Sequence, residues 1–145
     1  MVTPGAATMA SEVFLDTSGW LALLNQRDRF HGIAVQRWRE LGRRRAHVVV
    51  TDWIIAETGN GLARSGTKAI FAKAAGRLLL SDLATVQYVD AGLLQSSLAL
   101  MQERQDKDWG LVDCASFLVM RTRGIASAFT MDRHFEQAGF EALLR

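Results

Sequence analysis

The 145-residue chain predicts an α/β domain on a mainly parallel sheet of about five strands, with the first strand central. Three observations carry that expectation. Short apolar runs alternate with longer stretches of helical spacing, the pattern of right-handed crossovers that place helices on both faces of a sheet. Several of those runs end in a carboxylate, as in Val13-Phe14-Leu15-Asp16 and Ala128-Phe129-Thr130-Met131-Asp132. No internal repeat, low-complexity tract or linker interrupts the alternation, and the chain holds a single proline.

The elements follow in order. Glu12 to Asp16 is a strand, which Thr17-Ser18-Gly19 turns into a helix through Trp20 to Leu24. A second helix, about Phe30 to Leu41, sets Ala34, Trp38 and Leu41 on one face. Arg43-Arg44-Arg45 makes a basic corner before a strand from His47 to Thr51. Thr51 or Asp52 caps the next helix, which carries Glu57 and runs to about Arg64. Gly66 breaks it, and Thr67 opens another helix to about Leu80 whose apolar face is Ile70, Phe71, Ala74 and Leu78. Ala84 to Val89 alternates as a strand does. Helices over about Ala91 to Gln105 and Trp109 to Arg123 come next, the second closed by Gly124. Ile125 to Thr130 is a strand, Arg133 to Ala138 a short helix, and Phe140 to Leu144 a last strand.

Composition narrows the class. A hydrophobic share of 49% and a charged share of 22% suit one globular domain with a core, expected over residues 12–145. Met1 to Ser11 reads as a loose, disordered tail with neither the basic nor the apolar region of a secretory signal, and Met9 could be the true start. No apolar run approaches the ~20 residues that span a bilayer, so no membrane partner is expected. One cysteine, Cys114, excludes an internal disulfide and fits a reducing cytoplasm. The net charge of +2 accommodates an anionic partner without demanding one.

Four acids stand out: Asp16, Glu57, Asp113 and Asp132. In a parallel α/β sheet, ligands bind beyond the carboxyl ends of the strands. Asp16 and Asp132 fall at strand ends, and Glu57 lies early in the helix leaving the second strand. Asp113 interrupts the apolar helix Leu111, Val112, Cys114, Ala115, Phe117, Leu118, where a lone charge is costly. Separately, each has a bland explanation: Asp16 and Asp132 as helix caps, Glu57 paired with Arg64, Asp113 bonded to Arg121 or to a helix terminus. One hard divalent cation on four oxygen donors explains all of them together.

Other candidates are weaker. Ser18, Ser116 and Ser127 lack the surroundings of a nucleophile, and Cys114 reads as core. His31, His47 and His134 read as surface or satisfied groups rather than ligands, and Trp20, Trp38, Trp53 and Trp109 as core. Arg43, Arg44, Arg45, Arg121, Arg123 and Arg133 are candidates to hold an RNA backbone, though modest charge clusters are usually solvated.

The segments Phe14-Leu15-Asp16-Thr17-Ser18, Ala56-Glu57, Asp108-Trp109-Gly110-Leu111-Val112-Asp113-Cys114-Ala115-Ser116-Phe117 and Phe129-Thr130-Met131-Asp132-Arg133-His134-Phe135-Glu136-Gln137-Ala138-Gly139-Phe140 occur in family order. On them the chain resembles PIN-domain proteins of the VapC-like toxin ribonuclease family. The resemblance implies an α/β/α sandwich and a metal-dependent ribonuclease that cleaves RNA with metal-activated water. It further implies a Mg2+ or Mn2+ site, a small antitoxin protein as partner, and a homodimer, for which the Ile70-Phe71-Ala74 face could supply the contact. Asp16 and Asp113 match the acids that hold the metal. Glu57 and Asp132 match those that complete the pocket directly or through water, and Ser18 and Thr130 match hydroxyls that position a carboxylate. Many relatives carry Ser or Thr near Gly110 and Val112, so hydroxyl support for Asp113 is expected to be missing here.

Two other readings compete. The apolar run ending in Asp16 also suits a phosphotransfer enzyme of the haloacid-dehalogenase or response-regulator kind, but the second Asp expected two residues on is Ser18, and no acidic pair or late lysine of a receiver is visible. A catalytically weak PIN fold that only binds RNA or protein is the non-enzyme alternative. Such a module gains nothing from four mutually repelling acids.

Overall fold

Val13-Phe14-Leu15 and Val48-Val49-Val50 are apolar at consecutive residues, so each strand has to be covered on both faces. The computed structural model, which describes residues 11–64 and 66–145, places those two runs side by side in the middle of the sheet. Five strands, β1 (Glu12–Leu15), β2 (His47–Thr51), β3 (Ala84–Gln87), β4 (Ser127–Phe129) and β5 (Glu141–Ala142), pair in parallel in the order β3-β2-β1-β4-β5. The first strand is central, as expected. Both edge strands are short, and β3 is only half-buried along its length.

Among the described residues seven helices accompany them: α1 (Thr17–Leu24), α2 (His31–Arg43), α3 (Asp52–Gly61), α4 (Lys68–Leu80), α5 (Ala91–Glu103), α6 (Leu111–Arg123) and α7 (Arg133–Gln137). The chain steps outward from β1 through β2 to β3, then returns over the sheet to β4 and steps the other way to β5. Right-handed crossovers therefore set α1 to α4 on one face and α5 to α7 on the other. The packing agrees: α1 touches α2 and α3, α3 touches α4, and α6 touches α5 and α7. The result is an α/β/α sandwich.

Aromatic side chains lock the layers. Phe117 of α6 meets Trp109, Phe135 and Phe140, and Phe135 of α7 also faces Phe14 of β1. On the opposite face Trp38 stands edge-on to Phe129, and Trp20 packs on Phe71. Cys114 is buried, as expected for core. Trp20 and Trp109 are buried too, whereas Trp38 and Trp53 are only half-buried.

Several boundaries move from their expected places. Asp16 caps α1 rather than ending β1, so that helix starts at Thr17. Thr51, not Asp52, caps α3, accepting from the Ile54 N–H at 3.1 Å, while Asp52 Oδ1 accepts from Val89 N–H at 2.8 Å. Gly110 is extended, so α6 begins at Leu111 rather than Trp109 and Asp113 lies in its first turn instead of its interior. The α4 face expected to be outward is split: Ile70 is exposed, but Phe71 turns to Trp20 and Ala74 is half-buried. The expected tail, with Met9 in it, lies outside the described residues except for Ser11, whose carbonyl accepts from His47 N–H at 3.0 Å.

Gly19 decides how closely α1 approaches β4. A Cβ there would sit 2.0 Å from the Phe129 carbonyl oxygen and 2.6 Å from its carbon, both backbone atoms that cannot step aside. Gly19→Ala is expected to destabilise the fold by about 3 kcal/mol or more, the upper range for overpacking, as read by urea denaturation.

Candidate metal-binding active site

The site begins where β1 and β4 end. Their carboxyl ends flank the point at which connections leave the sheet in opposite directions, the place where parallel α/β sheets open a crevice. Asp16 Oδ2 accepts from the Ser18 N–H at 3.4 Å, from Ser18 Oγ at 2.9 Å and from Thr130 Oγ1 at 2.7 Å. The two hydroxyls lie 3.0 Å apart and carry the bonding across the gap between strands. Ser18 Oγ accepts from Met131 N–H and Thr130 Oγ1 from Asp132 N–H, both at 2.9 Å. Ser18 and Thr130 thus hold Asp16, and they also fix the backbone that presents Asp132.

Asp16 is only 5% exposed. Its pKa is raised from the ordinary 3.8 to about 6: burial is the main cause, the Thr130 and Ser18 hydroxyls pull the other way, and the charges of Asp113 and Asp132 add to the rise. Asp113 is also raised. Burial is the main cause, and Asp132 adds to it while the Gly110 N–H and His134 pull it back. These carboxylates therefore feel one another.

Asp113 stands at the third position of α6 and reaches back to the Gly110 N–H at 3.1 Å, half of a capping box. That backbone donor supplies support where the sequence lacks a hydroxyl. Asp132 caps α7, its Oδ1 accepting from the His134 N–H at 2.9 Å. Glu57 is exposed on α3, its carboxylate accepting from the hydroxyl of Thr17, next in sequence to Asp16, and it is not among the acids whose charge raises the Asp16 pKa. The capping expected for Asp16 and Asp132 is real, and it coexists with their clustering.

One histidine lies beside the acids. His134 does not resemble His31, whose Nδ1 bonds the Ala22 carbonyl, or His47, whose Nε2 bonds Thr85. Its Nδ1 lies 3.3 Å from Asp113 Oδ2 and 3.3 Å from Asp132 Oδ1. Both contacts are close enough for charge attraction, yet neither has hydrogen-bond alignment, and the atom is buried without a partner. Only its place two residues after Asp132 hinted at this in the sequence.

The proposed RNA-backbone cations divide by sheet edge. Arg43, Arg44 and Arg45 run directly into the first residues of β2, and Arg123 pairs at 2.9 Å with Glu12, the first residue of β1. Arg121 lies in the last turn of α6, which leads to β4. All strands being parallel, these five arginines belong to the amino edge, opposite the acids. Arg133 alone of the six stays beside the acids, as the residue after Asp132. Arg145, not singled out from sequence, joins that edge by donating to the Met131 carbonyl at 3.3 Å.

A family model described as the PIN domain matches residues 13–141. The chain belongs to the PIN-domain family. This PIN domain is 35% identical over 129 residues to the 23S rRNA-specific endonuclease VapC20 of Mycobacterium tuberculosis, in strains CDC 1551 / Oshkosh and H37Rv alike, covering 88% of this chain and 95% of the relative. The crystal structure of Mycobacterium tuberculosis VapC20, a Sarcin-Ricin loop cleaving toxin, matches with a TM-score of 0.78 and 31% identity over 88% of this chain and 95% of that one. These matches place the chain in the VapC-like group of PIN domains. Among the described residues no helix is long and apolar enough to cross a membrane.

The raised Asp16 pKa has a measurable sign. Folded metal-free protein holds a proton that the unfolded chain has already lost between pH 3.8 and about 6. The resulting stability is fully present below pH 3.8 and is lost as pH rises through about 6, a change of roughly 3 kcal/mol. Asp16→Asn keeps an acceptor for Thr130 and Ser18 without the charge. In EDTA at neutral pH it is expected to unfold at higher urea than wild type, with the advantage gone near pH 4.

Proposed function

We propose that this PIN domain is a metal-dependent endoribonuclease, the toxin of a toxin–antitoxin pair, and that its substrate is the sarcin-ricin loop of 23S rRNA. The observation that carries the reading is the convergence of Asp16, Asp113 and Asp132 on the carboxyl edge, where burial, with a smaller push from the other two acids, raises the Asp16 pKa to about 6. A module that only binds an anionic chain has no use for such a group. The similarity to VapC20 supports the choice of RNA, and the small antitoxin follows from the same likeness. A cytoplasmic setting is part of the proposal.

The donor set fits a hard divalent cation such as Mg2+ or Mn2+: carboxylate oxygens dominate it, and their surplus charge asks for a counter-ion. Asp16 and Asp113 would hold it, with Asp132 and Glu57 direct or through water. When bound, it would supply Lewis acidity toward the phosphate and an acidified water as nucleophile. The chain's own residues prepare for that. Thr130 and Ser18 hold the Asp16 carboxylate, Gly110 N–H orients Asp113, and the Thr17 hydroxyl bonds Glu57. Arg133 and Arg145 offer positive charge on the same edge for the flanking phosphates. No covalent enzyme intermediate is needed.

Asp113→Asn is expected to slow cleavage of a synthetic sarcin-ricin hairpin by at least about 100-fold and to remove most of the thermal stabilisation by Mg2+ or Mn2+. Cleavage that survives in EDTA, or an Asp113→Asn variant as active as wild type, would sink the enzyme reading. Hairpin binding without cleavage in any cation would leave the binding module as the function.

Self-association is the second part of the proposal. Leu94, Leu98 and Met101 of α5 remain exposed at 36%, 50% and 43%, one apolar helix face that would favour a homodimer, while Ile70, exposed at 46%, lies on α4 across the sheet. The solution mass at micromolar concentration is expected to be twice the 16.0 kDa of one chain. A value matching a single chain refutes the dimer.

A further inference from the structure

Among the described residues, every phenylalanine and Trp20, Trp38 and Trp109 meet another ring or an arginine, whereas Trp53 and Tyr88 meet neither. Trp53, expected in the core from the sequence, is half-buried and lies off it, and Tyr88 is 63% exposed. These two rings stand together. Trp53 follows Asp52 at the start of α3, Tyr88 precedes Val89 just past β3, and Asp52 Oδ1 accepts from Val89 N–H at 2.8 Å. Each ring is thus one residue from the bond that ties the ends of β2 and β3. Trp53 also stands one helical turn before Glu57, whose carboxylate accepts from Thr17 beside Asp16. β2 and β3 lie one and two strand spacings from β1, roughly 5 and 10 Å along the carboxyl edge.

Charge is distributed to match. Arg133 and Arg145 stand on the β4 side of the acids, while residues 46–63 and 78–103 hold no lysine or arginine. The carboxylates of Asp52 and Asp90 are taken up by backbone N–H groups of Val89 and Leu93, both at 2.8 Å. The β3 end therefore has no cation of its own for a phosphate, but it offers two ring faces. We infer that Trp53 and Tyr88 form a stacking platform for an unpaired base of the RNA next to the cleaved bond. The inference rests on the reading above that the acidic edge cleaves RNA, and it adds how the strand lies across that edge: backbone toward Arg133 and Arg145, a splayed base toward β3. Unpaired bases of RNA loops are commonly held on aromatic side chains. Every base has a π-face, so such a platform orients the strand without reading its sequence.

Cleavage of the synthetic sarcin-ricin hairpin in Mg2+ or Mn2+ would be followed for full-length wild type, Tyr88→Phe, Tyr88→Leu and Trp53→Leu, with the solution mass of each. One stacked base contributes about five- to 150-fold in affinity. Tyr88→Leu is therefore expected to raise KM at least about fivefold with kcat within about twofold, and Tyr88→Phe to stay within about twofold of wild type in both. Hairpins with a single abasic loop nucleotide locate the partner base. At one position wild type is expected to lose as much as Tyr88→Leu loses on the intact hairpin, with no further loss when the two changes are combined. A Tyr88→Leu KM equal to wild type overturns the inference, as does additivity at every abasic position. A KM rise that comes with a fall in mass to one chain overturns it too, since the ring then serves contact between copies. Tyr88 is exposed, so its variants decide the matter even if Trp53→Leu fails to fold. Failure of wild type to cleave the hairpin in either cation is a separate result, which removes the nuclease reading and the platform with it.

Discussion

One carboxylate, Asp16, joins the two strand ends on which the site is built. β1 and β4 are neighbours in the sheet, but their ladder stops at Leu15 and Phe129, and the chain then leaves in opposite directions. Asp16, Ser18 and Thr130 continue the connection with side-chain bonds where the backbone cannot. The Met131 and Asp132 amides hang from the same hydroxyls, so the turn that carries Asp132 and leads to His134 inherits its position from Asp16. This needs α1 to lie almost against β4, which the missing side chain of Gly19 permits.

The arrangement works against itself electrostatically. A group buried to 5% exposure and facing two other acids ionises reluctantly, and the hydroxyls that hold it recover only part of the cost. Stability is traded here for a concentrated negative potential. A divalent cation bound there, as proposed, would reverse the sign of that term, because the repulsion among carboxylates would become attraction to a shared centre. The arginines at the amino edge take no part in this: Arg123 is engaged with Glu12, and the basic corner opens on the far side of the sheet.

Aromatic packing keeps the remaining acids in register. Asp113 rides on α6, pinned by Phe117, while Asp132 and His134 ride on the start of α7, pinned by Phe135. The two rings meet edge to face with centroids 4.9 Å apart, and Phe135 continues to Phe14 on the central strand. Edge-to-face contacts of this kind fix angle as well as distance. The spacing between the helix N-termini that carry Asp113 and Asp132 is therefore set by the core rather than by the loops.

The sequence by itself determined the strand and helix order and the central place of β1. Those features depend on local apolar periodicity and on short words whose chemistry survives without neighbours. Boundaries were less legible because caps decide them: Asp16 and Gly110 each start a helix at a place that periodicity alone does not mark. Which arginines face the acids, how Phe71 turns inward and where His134 Nδ1 ends up were decided only by tertiary structure. Each depends on which residues distant along the chain come to share a sheet edge or a helix terminus. A parallel sheet sorts every residue to one of two edges according to whether it precedes or follows a strand, so Arg45 and Asp16 part company although both lie next to strands. Asp113 and Asp132 meet at the His134 ring because the core brings together two helix starts that lie far apart along the chain, and nothing in the neighbourhood of His134 in the sequence records that meeting.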